Sequence, residues 1–198
     1  MIRKYLALLI TFYIIFPVFS SHAFLISLDQ NEIQEAIRFG QNNKDAIEKV
    51  LEQSYAFGGS LKFENSGIVR TKWYKIARMA AIGEKRGMDL SSLDLTNILE
   101  DDYLQIDFFL YGYALDFAQG YAVLVLQNNK EIEPDKIHAA HAQYCFPKKQ
   151  STAGFPCCRA TLRTFFNYTS LNATKQAILV LKKDGKKLHF KVDFRKFK

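Results

Sequence analysis

The stretch QAILVLKKDGKKLHFKVDF, residues 176–194, leaves the chain little choice locally. Asp184-Gly185 suits a two-residue hairpin turn, because the favoured turn types need positive φ, which glycine adopts freely and aspartate tolerates. Beyond the turn, Leu188, Phe190, Val192 and Phe194 alternate with His189, Lys191, Asp193 and Arg195, giving the strand one apolar and one wet face.

Other strands are legible from the same rule. LQIDFFLYGY (104–113) and GYAVLVLQ (120–127) are rich in β-branched and aromatic residues, and Asn128-Asn129 suits a tight turn into KEIEP. In CCRATLRTFFNY (157–168), Cys158, Ala160 and Leu162 alternate with Arg159, Thr161 and Arg163. About six strands joined by hairpins and one long excursion point to an antiparallel β-sandwich-like part over residues 103–198, immunoglobulin-like in architecture. The Cys–Trp–Cys spacing of true immunoglobulin domains is absent.

Residues 24–102 carry a helical period instead. Asp29 and Glu32 form a capping-box pattern ahead of Ile33, Ala36 and Ile37, with Gly40 as the expected stop. A second helix follows from Asn43 as cap, through Ala46, Ile47, Val50 and Leu51, to Gly58-Gly59. A third places Val69, Trp73, Ile76, Ala77 and Ala80 on one stripe, with Trp73 as core anchor. A short fourth is capped by Ser91 or Ser92. The expected class is α+β: about four helices packed on the β part.

The chain opens MIRKYLALLITFYIIFPVFSSHA, with Arg3 and Lys4 before an apolar run and small residues ending at Ala23. That is the pattern of a secretory signal peptide over residues 1–23, and its apolar core is shorter than the ~20 residues a membrane span needs. Cleavage near Ala23 leaves Phe24 to Lys198, and the longest later apolar run, Tyr121 to Leu126, is far too short to span. A chain rich in Lys, Ile, Phe and Tyr suggests a bacterial exported protein, periplasmic or secreted, in a compartment where disulfides persist.

Hydrophobic content of 48% excludes a disordered chain. The formal charge of +7 is concentrated at the C-terminus, where residues 175–198 carry nine Lys or Arg against Asp184 and Asp193. No nucleic-acid partner is expected outside the cell, so Lys182, Lys183, Lys186 and Lys187 are read as a weak contact with an anionic envelope surface.

The stretch IHAAHAQYCFPKKQSTAGFPCC (137–158) holds two of the four histidines and all three cysteines. If Asp135 caps a short helix there, His138, His141 and Cys145 share a face and, with a returning cysteine, offer nitrogen and sulfur to a metal. The spacing matches no known metal pattern, and no thiol is marked as a nucleophile by a Cys-x-x-Cys or protease signature. The reading favoured here is a disulfide from Cys145 to Cys157, with Cys158 as the alternative partner, closing a short proline-containing loop and worth about 3 kcal/mol by loop entropy.

Asn167 and Asn172 open glycosylation sequons that matter only in a eukaryotic host, and Glu100, Asp101 and Asp102 read as a solvated acidic loop. Phosphate loops, a Gly-x-Ser-x-Gly elbow, His-Glu-x-x-His and dinucleotide fingerprints are missing, so no cofactor is expected. These readings converge on an exported, non-enzymatic protein with a binding or structural role and an unknown envelope or extracellular partner. The alternative is a metal- or thiol-dependent enzyme built on His138, His141 and Cys145.

Overall fold

The structure is a computed structural model that describes residues 27–59, 64–88, 90, 92–139, 141–144 and 158–198. The signal-peptide segment, Cys145 and Cys157 lie outside the described residues. Among the described residues, four α-helices and two antiparallel sheets make an α+β fold, with the helices mainly in the first half and the strands mainly in the second.

Helix α1 spans Gln30–Asn42 and opens on the expected capping box: Asn31 and Glu32 amides donate to Asp29, whose own amide donates to Glu32. Gly40 does not end it. The helix crosses the later helix α3 (Lys72–Arg86) there, so closely that a Cβ on Gly40 would lie 2.0 Å from the Ala77 carbonyl oxygen. Asn43, expected to open the second helix, instead closes the first, its side-chain amide donating to the Phe39 carbonyl at 2.8 Å. Helix α2, Ile47–Tyr55, therefore starts after Ala46 without a side-chain cap.

Two strands lie inside the half expected to be helical: β1, Ala56–Gly58, and β2, Ser66–Arg70. Val69 belongs to β2 rather than to the stripe of the third helix, because Thr71 caps α3 after it, accepting from the Tyr74 amide at 3.1 Å. Gly87, with φ of 64°, closes α3, and α4 follows at Ser92–Leu99.

The remaining strands are β3 Tyr103–Gly112, β4 Ala122–Gln127, β5 Lys130–Ile132, β6 Lys136–Ala139, β7 Gln143–Tyr144, β8 Cys158–Asn167, β9 Gln176–Lys183 and β10 Lys186–Asp193. The first sheet runs β1-β2-β3-β8-β6, with β7 also on β8, and the second runs β10-β9-β4-β5. Both anticipated turns form, with positive φ at Asn128, Asn129, Asp184 and Gly185.

The stretch expected to form a short helix after Asp135 is extended, as β6 and β7 against β8. Its register slips by one residue between Ala139↔Leu162 and Gln143↔Arg159, the mark of a bulge. Unpaired edge groups of β8 are what recruits it, a long-range reason that local capping signals do not carry.

One apolar core joins these parts. Phe57 of β1, Phe108 of β3 and Phe190 of β10 meet with ring centroids 5.4–6.2 Å apart, linking the two sheets. Gly67 makes this contact possible, since a Cβ there would lie 2.3 Å from the Phe57 ring. At the helical side, Trp73 packs against Phe39 at 5.0 Å and against Tyr55, which stacks on Phe197 at 5.4 Å.

Candidate functional site

The residues singled out in the sequence do not gather into one centre. His138 lies on the exposed face of β6, its ring edge-on to Phe165 at 5.4 Å, and His141 is exposed in the offset between β6 and β7. A strand does not supply the helical face that would have grouped them with Cys145. Among the described residues no three His, Cys, Asp or Glu side chains are placed to share a metal. Cys158 is fully buried on the inner face of β8. Asn167 and Asn172 each accept from an amide two residues on, closing local turns. Asp101 binds Lys75 at 2.6 Å.

The four lysines flank the β9–β10 turn, where Lys186 pairs with Lys183 and Lys187 with Lys182. Alternation therefore divides them between two faces. Lys182 approaches Glu131 at 3.8 Å. Lys183 turns inward, donating to the Phe117 carbonyl and covering the Tyr121 ring at 5.2 Å. Lys186 and Lys187 stay exposed.

Beside that turn lies a cleft of about 530 Å³ whose walls include Tyr111, Tyr113, Phe117, Tyr121, Lys186 and Leu188. Its shape follows from the connection between β3 and β4, YALDFAQGY (113–121), whose Phe117 folds back onto the end of β3. Phe117 rests on Gly112, where an added Cβ would lie 2.2 Å from the ring. Burial pushes the Tyr121 phenol above its ordinary range, and the charge of Asp184 adds to the shift.

This end of the molecule is unusually apolar for an exposed surface. Tyr113 is 70% exposed, Leu115 49% and Leu188 39%. Tyr144, 60% exposed, joins them through the row Gly112–Cys158–Tyr144, two strand spacings or about 10 Å across the first sheet. Of the six exposed large hydrophobic side chains among the described residues, four therefore sit at this end. In the segments that form this end, Lys183, Lys186 and Lys187 outnumber Asp116 and Asp184 by one charge.

Sequence reasoning singled out the lysines but passed over Tyr113, Leu115, Tyr144 and Leu188. The signal for the first two was available: YALDFAQGY carries three aromatic rings within a segment too rich in turn-formers to be a core strand. Alternation assigns Leu188 to the buried face, yet β10 extends past the core at its turn end, so this first inward position is exposed while Val192 is buried.

No family model matches this chain, and no curated protein matches it. Among the described residues no helix is long and apolar enough to cross a membrane.

Proposed function

We propose that the chain is an exported, non-enzymatic protein of the bacterial envelope that docks on an anionic lipid surface through the end carrying Tyr113, Leu115, Tyr144 and Leu188. The observation that carries this reading is the collection of those four exposed side chains beside Lys186 and Lys187. Aromatic rings and leucines at the headgroup boundary, with lysines reaching anionic phosphates, are the ordinary chemistry of peripheral membrane contact.

The export pattern over residues 1–23 supplies the route, with the mature chain starting near Phe24. In this reading the two sheets act as the faces of an antiparallel sandwich, supported by the Phe57, Phe108 and Phe190 contact, and hold the docking end rigid. A Cys145–Cys157 bridge belongs to the same proposal.

The test is co-sedimentation of the mature chain, residues 24–198, with vesicles of phosphatidylglycerol and phosphatidylethanolamine, and separately with phosphatidylcholine alone. Binding to the anionic vesicles that weakens at high salt, and that falls at least tenfold in Leu115→Asp/Leu188→Asp, is the expected result. Equal binding to both vesicle types, capture by a soluble anionic polysaccharide in preference to vesicles, or indifference to the double substitution would overturn the proposal.

A further inference from the structure

A second cavity, of about 350 Å³, lies between helices α3 and α4 and the outer face of the first sheet. Its floor is Asp107, a carboxylate 1% exposed in the middle of β3. Both of its oxygens are engaged: Arg70 Nε donates to one at 2.7 Å, and Gln105 Nε2 to the other at 2.8 Å. The walls add Lys75, Arg78 and Arg163, with Met79 and Ile98 as the apolar side.

The cations can be assigned one by one. Arg70 is held by Asp107, Lys75 by Asp101 at 2.6 Å, and Arg78 by Glu48 at 2.8 Å. Arg163, directly opposite Asp107 in the β3–β8 register and opposite His138 in the β6–β8 register, has no hydrogen-bonded or ionic partner among the described residues. A guanidinium offers five donors and no acceptor, and Arg70 commits only Nε to Asp107 and one terminal nitrogen to the Tyr74 hydroxyl at 3.3 Å. The cavity thus presents surplus donors around an already satisfied carboxylate, next to an apolar wall.

We propose that this cavity binds the carboxylate of a small amphipathic acid. The acid group pairs with Arg163, and the apolar body lies against Met79 and Ile98. The volume is at the small end of the range for ligand pockets, which suits a molecule the size of a medium-chain acid rather than a polymer. A bidentate arginine–carboxylate pair supplies both charge and orientation. This site is separate from the lipid-docking end, and its ligand is a soluble molecule.

Calorimetric titration of the mature protein with octanoate below its micelle concentration, in the absence of lipid, tests it. Octanoate is expected to bind at one site, with octanol, octylammonium and acetate each at least tenfold weaker. Arg163→Gln is expected to weaken octanoate at least tenfold and Arg163→Lys less. Both variants should melt with the parent, because Arg163 is exposed and makes no hydrogen bond or ion pair among the described residues. Octanol binding as tightly as octanoate, acetate binding as tightly as octanoate, an unchanged affinity in Arg163→Gln, or no binding of octanoate would each overturn the proposal.

Discussion

Asp107 shows how one side chain in an apolar strand ties helix to sheet. Its two hydrogen bonds bring Arg70 and Gln105 onto it, and Arg70 in turn donates to Tyr74 at the start of α3. Removing one partner of a buried pair costs about 3–5 kcal/mol, because the other charge keeps its desolvation penalty. Arg70 is 21% exposed, so Asp107→Ala is expected at the lower end, about 3 kcal/mol, with Asp107→Asn costing less because one acceptor remains. Urea midpoints of the two variants measure this, and equal midpoints would contradict it.

Asp193 acts on pH dependence instead. Side-chain hydrogen bonds from Arg195 hold its carboxylate down from the ordinary 3.8 to about 2, with a further bond from the Arg195 amide. A carboxylate whose folded pKa lies below its unfolded one stabilises the fold fully above pH ~4 and loses that contribution as pH falls toward 2. Asp193→Asn is therefore expected to flatten the acid limb of stability between pH 4 and pH 2. Carboxyl ¹³C titration of the parent checks the cause directly, and a midpoint near 4 would remove it.

Among the elements, α1 and α3 meet at Gly40. In an exposed helix, Gly→Ala gains about 1 kcal/mol from backbone entropy. Here the added methyl meets the Ala77 carbonyl oxygen at 2.0 Å and the Ala80 Cβ at 3.1 Å, both on a packed helix that cannot step aside. Overpacking of this kind costs about 1–3 kcal/mol. Gly40→Ala is accordingly expected to lower the melting temperature, whereas Gly87→Ala, at a positive-φ cap with open space around it, is expected to lower it through backbone strain alone. A higher melting temperature for Gly40→Ala would mean that the helices do not approach as described.

The whole molecule shares one core, reaching from Trp73 in α3 through Tyr55 and Phe197 to the strands of both sheets. Trp73 is the only tryptophan, is buried, and its indole N–H has no hydrogen-bond partner among the described residues, so it is an apolar anchor and a single optical probe of the helical side. A shared core predicts one cooperative transition. Trp73 fluorescence and the far-ultraviolet dichroism of the strands are expected to change with the same denaturant midpoint. A fluorescence change that precedes the dichroism would show the helices leaving a sheet core that stands without them.

What the sequence alone determined is what period and capping can express. The capping box at Asp29, the turns at Asn128-Asn129 and Asp184-Gly185, and the inward set Cys158, Ala160 and Leu162 all follow from neighbours within a few residues. The tertiary structure alone decided what depends on partners far along the chain. Ser66–Arg70 is a strand because β3 lies beside it, some 40 residues on, and the histidine stretch is extended because β8 has an edge to satisfy. Gly40 continues a helix because another helix needs its missing side chain, and Asp107 is tolerated in a buried strand because Arg70 and Gln105 reach it. Local pattern states which face of an element is apolar. Which apolar faces, edges and charges meet is set by loop closure and by the need to satisfy buried groups, and both candidate sites are products of that second level.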